Sequence, residues 1–282
     1  MTALSTLRRT CDEGFLFAFQ GLEGKAGAMS FEIILAGVFV GVLIGLTGMG
    51  GGSLITPMMI FVFGVPPQLA VGTDLVLSAF TKAAGAFTHL RLGNTDFAMT
   101  KTLLRGSIPG AVLGIVLMRL ISAWHIVEVD ELIKRLLGLV LLAVSASLLF
   151  RSLWKRVDAF RLRTPGPDRS RLISGVSFGV GVIVSLTSVG SGSLLVPFLL
   201  ASTALPLSRV VGVDLMHGAV LAAVAGAGHV AGGNVDIRLL ANLLIGSVPG
   251  AILGGRLSLL FPKRGLELVL ASMLAISAVK LL

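Results

Sequence analysis

The sequence predicts an all-α integral membrane protein whose chain is one unit used twice. Three observations carry that prediction. The 282 residues are 55% hydrophobic and 13% charged, with a mean hydropathy of +0.96, outside the composition of soluble domains. Apolar runs of about 20 residues recur along most of the chain, enough to span roughly 30 Å of hydrocarbon as helix, and none shows the period-two alternation of a membrane barrel. Residues 41–114 align without a gap on residues 181–254, with about 29 identities in roughly 74 positions, which chance does not give.

From the N-terminus, residues 1–29 read as a short tail, because Arg8 and Arg9 precede an apolar stretch, Phe15 to Phe19, shorter than the roughly 7 residues of a signal-peptide core. Residues 30–154 make the first repeat, with hydrophobic segments at about 31–64, 69–91, 97–121 and 131–154. A basic linker, 155–170, leads to the second repeat, 171–282, with segments at about 171–204, 208–231, 236–260 and 263–282. The matched positions favour small and polar residues. Gly41 to Pro57 matches Gly181 to Pro197, and Val71-Gly72-Thr73-Asp74-Leu75 matches Val211-Gly212-Val213-Asp214-Leu215. His89 matches His229, the turn Gly93-Asn94-Thr95-Asp96 matches Gly233-Asn234-Val235-Asp236, and Gly106-Ser107-Ile108-Pro109-Gly110 matches Gly246-Ser247-Val248-Pro249-Gly250. The first segment is too long for one span and carries Gly48, Gly50, Gly51 and Gly52, so it is expected as two shorter helices joined by unwound chain. If that pair re-enters, each repeat crosses three times and the second copy is inverted; if it crosses, the copies are parallel.

Charge discriminates between these two arrangements. Of the formal net charge of +9, much sits in residues 151–171, where seven Arg/Lys face two Asp. Such a run between hydrophobic halves reads as a cytoplasmic anchor against anionic headgroups, not as a nucleic-acid patch. With it inside, the inverted arrangement also places Arg91, Arg256 and the Pro262-Lys263-Arg264 turn inside, and Glu128, Asp130 and Glu131 outside. The parallel arrangement would export the Lys-Arg pair, so inversion is expected. Trp124 and Trp154 then flank one span at opposite interfaces. Cys11, the sole cysteine, excludes an internal disulfide and any CxxC metal or redox motif. No cofactor is expected, and small-residue faces are compatible with a homodimer.

Ionisable groups at bilayer depth are costly and need a reason. At 100° per residue, Asp74, Ser78, Lys82, Gly85 and His89 share an arc of roughly 80°, one polar stripe that must face the bundle interior or water. The second repeat keeps Asp214 and His229, has Gly218 and Ala222 in place of Ser78 and Lys82, and adds His217 where the first has Leu77. Lys82 would supply positive charge to an anion, against the alternative of a structural Lys82–Asp74 pair. Asp74 and Asp214 would be coupling or gating groups, with His89, His217 and His229 in the same class. The competing reading of the aspartates is as caps of a helix starting after Val71-Gly72 or Val211-Gly212. That of His89 and His229 is as interfacial or turn-bonding residues.

The glycine-rich breaks carry a sharper signal. In each copy a Gly cluster is followed by Ser and then by Pro57 or Pro197, so short half-helices should start near Leu54 and Leu194 with unpaired N–H groups in the protein midplane. A small anion would be held there by Thr47, Gly50, Gly51, Gly52 and Ser53 from one copy and by Thr187, Gly190, Ser191, Gly192 and Ser193 from the other. Backbone donors and hydroxyls together replace its hydration shell. Ser107-x-Pro109-Gly110 and Ser247-x-Pro249-Gly250 read as kinks and packing surfaces.

At these residues the sequence resembles the TauE/SafE family of sulfite and organosulfonate exporters, also called the TSUP family. The resemblance covers roughly residues 31–282. It rests on both copies of the glycine-rich break, the Val-Gly-x-Asp-Leu element, the Gly-Asn-x-Asp turn and the Ser-x-Pro-Gly-Ala element. It implies a multi-pass protein of the bacterial cytoplasmic membrane, with seven to nine spans, moving sulfite, sulfonates or related anions. The second copy departs from the glycine-rich form, with Ser188 and Ser191 where the first has Gly48 and Gly51.

A secondary transporter working by alternating access is therefore expected, and no Walker-type motif points to ATP use. An anion channel of the same fold is the nearest alternative, separated by whether transport needs a coupling group. An intramembrane hydrolase using Ser193 and a histidine is the rival from another class, but neither HExxH nor a GxSxG elbow is present.

Overall fold

The computed structural model describes residues 31–47, 52–124, 128–153, 167–257 and 263–282. Every regular element among them is a helix: α1 Phe31–Thr47, α2 Gly52–Phe61, α3 Pro67–Arg91, α4 Phe97–Trp124, α5 Val129–Leu153, α6 Pro167–Thr187, α7 Ser191–Ser202, α8 Leu207–Val230, α9 Ile237–Leu257 and α10 Lys263–Leu281. Five of them, α4, α5, α6, α8 and α9, contain stretches long and apolar enough to cross a membrane. Apolar side chains cover the outside, as lipid contact requires; Trp124 is 74% exposed and Ile237 75%.

Helices pair across the two halves of the sequence. α1 lies along α9, α4 along α6, α3 along α8 and α5 along α10. Glycines one turn apart make the first two pairings close: Gly106, Gly110 and Gly114 of α4 meet the backbone of Ser174, Phe178 and Val182 of α6, and Gly246, Gly250 and Gly254 of α9 meet Ile34, Val38 and Val42 of α1. Numbers rise together along both helices, so each of these pairs is parallel. By contrast α3 and α8 are antiparallel, since Gly72 packs at Asn234, Gly226 at Val76 and Gly85 at Leu215. Buried side chains of α3, α4, α5, α6, α7 and α8 form the main core, including Leu75, Leu103, Ile133, Val184, Leu195 and Leu221.

The turns explain two of the sequence elements. After α3 and α8 the chain reverses through Gly93 (φ 68°) and Gly233 (φ 73°), left-handed positions that suit glycine. Asn94 N–H then donates to His89 O, and Asn234 N–H to His229 O, both at 2.9 Å. Asp96 Oδ1 accepts Met99 N–H, and Asp236 Oδ1 accepts Leu239 N–H, both at 3.0 Å, starting α4 and α9. So Gly-Asn-x-Asp stops one helix and caps the next. Each turn also seats its Asn carbonyl on the glycine of the other half's Val-Gly-x-Asp-Leu: Asn234 O on Gly72, and Asn94 O on Gly212.

One expectation fails here. Asp74 and Asp214 are not helix caps, because α3 starts at Pro67 and α8 at Leu207, with Pro66 and Pro206 in the cap positions. Proline supplies the fixed φ for the start and needs no N–H bond there. Both aspartates sit inside their helices, buried.

Candidate functional site

α6 stops at Thr187, and α7 starts at Ser191 after Ser188 (φ 60°) and Gly190 (φ 124°). This tip is packed against the middle of α3. Three hydroxyls converge on Asp74: Thr56 of α2 donates to Oδ2 at 2.6 Å, Ser188 of the tip to Oδ2 at 2.8 Å, and Ser78, one turn along α3, to Oδ1 at 3.3 Å. Two turns beyond Asp74, the ammonium of Lys82 donates to Ser191 Oγ, in the first turn of α7. Asp74, Ser78 and Lys82 are all buried, so the polar stripe lies in the bundle interior.

Among the described residues no carboxylate oxygen lies within 4.0 Å of Lys82 Nζ, unlike Arg135, which pairs with Glu131 on the surface of α5. The structural Lys82–Asp74 pair is therefore not formed as a contact. Lys82 still acts through space on Asp74, Asp214 and His217. The N-terminus of α7 adds partial positive charge where the ammonium already sits. Two positive features held together in a low-dielectric interior suit an anion.

Room for Lys82 comes from the facing helix. A Cβ on Gly218 would stand 2.8 Å from Lys82 Nζ and 2.9 Å from Cδ. Gly218→Ala should therefore leave the fold intact, push the lysine tip off Ser191 and weaken affinity for a small oxyanion several-fold. The check is a titration of melting temperature with small oxyanions, wild type against variant. Equal affinity would show that the position of the ammonium is immaterial.

The other residues singled out by sequence are distributed unequally. Ser191, Gly192 and Ser193 form the buried first turn of α7, with Gly190 as its cap residue. Thr187 is buried but engaged within the break, donating to Ile183 O at 2.7 Å. Gly52 opens α2 and Ser53 follows it, half-buried. Gly50 and Gly51 lie outside the described residues, as does the side chain of Thr47. His217 Nε2 pairs with Ser107 Oγ at 2.8 Å, and His229 Nε2 with Ser185 O at 2.9 Å. His89 is half-buried, and its Nδ1 has no hydrogen-bond partner. Neither His89 nor His229 reaches the Asp74 cluster through a hydrogen bond.

Thr56, Ser188 and Ser107 are the polar partners that sequence reasoning missed. For Thr56 and Ser188 the signal was available in the departures between matched positions, Thr56 against Val196 and Ser188 against Gly48, as Ser78 stands against Gly218; Ser107 matches Ser247 and gave no such signal. Each hydroxyl on Asp74 stands where the other copy has none.

A family model described as "Sulfite exporter TauE/SafE" matches residues 33–281. The chain is 41% identical over 258 residues to "Probable membrane transporter protein YjnA" of Bacillus subtilis (strain 168), covering 90% of this chain and 100% of that protein. A second Bacillus subtilis protein, "Probable membrane transporter protein YdhB", is 27% identical over 82% of this chain and 91% of its own length. "Sulfite exporter TauE/SafE family protein 5" of Arabidopsis thaliana is 34% identical over 97 residues, 34% of this chain and 19% of that one. No solved structure matches the chain.

Proposed function

The chain belongs to the TauE/SafE family of membrane transporters, and from that premise we propose that it is a secondary transporter of a small sulfur-containing anion, sulfite or an organosulfonate. The single observation that carries the reading is the buried Lys82 ammonium on Ser191, at the N-terminus of α7, with no carboxylate in contact. A sulfonate or sulfite oxygen cluster matches that donor set: one ammonium, hydroxyls, and the free N–H groups of a helix start. In the full reading, the start of α2 and the residues Thr47 and Gly50 to Ser53 supply the opposing half of the site, and Asp74, Asp214, His89, His217 and His229 serve coupling or gating.

The scaffold is read as two inverted repeats, 30–154 and 171–282, around the linker 155–170. Antiparallel α3 and α8, with α1 parallel to α9 and α4 parallel to α6, favour it. In this arrangement α1–α2 and α6–α7 are hairpins entering from opposite ends, and α3 to α5 and α8 to α10 are three crossings each. Arg91, Lys101, Arg105, Arg171 and Arg209 then share one end of the bundle, while Glu128, Asp130 and Glu131 share the other. That asymmetry supports a cytoplasmic assignment of the basic end and, with it, of the linker 155–170 in a bacterial inner membrane.

The test is counterflow in proteoliposomes. Vesicles preloaded with unlabelled sulfite should accumulate labelled sulfite transiently above equilibrium, because a carrier exchanges its cargo. Simple equilibration without overshoot would favour a channel of the same fold, and no sulfite or sulfonate flux would reject the substrate class.

A further inference from the structure

Asp74 and Asp214 occupy matched positions of the two halves, on α3 and α8, and both are buried. Their surroundings differ. Three hydroxyl protons occupy the acceptor sites of Asp74, from Thr56, Ser78 and Ser188. The positions that match those three donors in sequence are Val196, Gly218 and Gly48, none of which has a donor side chain. Accordingly Asp214 Oδ1 has no hydrogen-bond partner although the residue is only 5% exposed. A bare carboxylate in that setting is costly and is relieved most simply by a proton.

Among the described residues, the charged and titratable groups of the helices packed against α8 do not supply a direct contact to Asp214. α3 brings Lys82 and His89, and α4 brings Arg119, whose guanidinium donates to Gly228 O at 3.1 Å near the far end of α8. α6 carries Arg171 in its first turns, α7 has no titratable residue, and α8 itself has His217 and His229, bonded to Ser107 and to Ser185 O. Lys82 acts on Asp214 through space, without an ion-pair contact. The same ammonium thus acts on the anion position and on Asp214.

We propose that Asp214 takes up one proton together with the transported anion, and that Asp74 is the fixed carboxylate that balances Lys82. This rests on the anion-transport reading above. During loading one O–H bond forms on the Asp214 carboxylate, its proton drawn from water on the side to which the site is open, and that bond breaks when the proton leaves with the anion on the other side. Lys82 and Asp74 cancel, and the arriving negative charge is matched by the arriving proton. The buried charge is then unchanged by loading with a monoanion, which is what a low-dielectric interior favours.

The experiment is a thermal-shift titration of the detergent-purified full chain with isethionate and with sulfite, from about pH 5.5 to about pH 8.5, in sodium and in N-methylglucamine buffers. For isethionate, whose sulfonate does not titrate in this range, wild-type affinity should fall about tenfold per pH unit once the free protein no longer holds the proton, and level off below that point. Asp214→Asn should bind with an affinity independent of pH, while Asp74→Asn should keep the slope. For sulfite the difference between wild type and Asp214→Asn cancels the titration of sulfite itself. Val196→Thr, which copies the donor Thr56 gives to Asp74, keeps the carboxylate and should move the pH response to lower pH; it carries the test if Asp214→Asn does not fold. A slope retained in Asp214→Asn, a flat wild-type response, or a slope set by sodium instead of pH overturns the coupling while the anion reading stands. Absence of stabilisation by either anion at every pH overturns the transport reading and the coupling with it.

Discussion

Lys82→Ala is expected to weaken anion binding strongly while the protein still folds. The Lys82 ammonium bonds Ser191 at the α7 start, and a charge-assisted hydrogen bond of this kind contributes about 1.5–3 kcal/mol. Its loss should lower affinity roughly ten- to a hundredfold. The ligand-free protein should not suffer in proportion. Removal of Lys82 relieves the desolvation of the ammonium and breaks no ion-pair contact, but leaves Asp74 without the cation that balances it, so a moderate fall in melting temperature with the fold retained is expected. Lys82→Arg keeps the charge, but its planar head is wider than the space opposite Gly218 allows, so affinity should be partly retained. Unchanged affinity in Lys82→Ala, with a large loss of stability, would make Lys82 a structural counter-charge for the two aspartates and would sink the site.

The largest effect on stability should come from Gly72→Ala and Gly212→Ala. In each, the new Cβ would overlap a backbone carbonyl oxygen, of Asn234 or of Asn94. A flexible side chain could turn away, but these carbonyls belong to turns fixed by Gly233 and Gly93 and by the caps that follow. Over-packing against backbone costs about 1–3 kcal/mol per site, and here it also separates α3 from α8, the central antiparallel pair. Gly175→Ala and Gly179→Ala are the controls, since nothing lies within 4 Å of a Cβ at either. They should leave stability unchanged or raise it by up to about 1 kcal/mol, since alanine is favoured over glycine inside a helix. Melting temperatures of the four variants in one detergent decide this. Equal losses across all four would mean that the turn-on-glycine contacts do not hold the halves together.

Much of the architecture is legible because hydrocarbon leaves few choices. Apolar runs of spanning length can only be helices, and the family resemblance rests on small and polar residues whose pattern survives in both copies. The stripe of Asp74, Ser78 and Lys82 is likewise readable, because three residues at helical spacing cannot all face lipid. What surrounds the stripe is not. Ser188 meets Asp74 across 114 positions, and Ser191 meets Lys82 across 109, contacts set by how α7 crosses α3 and not by any local period. The capping assignment of Asp74 went astray for a local reason. Val71-Gly72 looks like a break before a helix, yet the glycine is inside α3 to admit Asn234 O, and the start is set by Pro66-Pro67. Differences between the copies proved more informative than their identities, since the hydroxyls and the lysine occur on one side alone.

The central claim, that a sulfur oxyanion binds where Lys82 meets the start of α7, is tested most directly by a thermal-shift screen of the purified protein. The ligands are sulfite, sulfate, thiosulfate and two-carbon sulfonates, with amino acids and monovalent cations as controls. Stabilisation by one sulfur anion that disappears in Lys82→Ala is the predicted result. Stabilisation by a cation or an amino acid alone, or an anion effect that persists undiminished in Lys82→Ala, would contradict it.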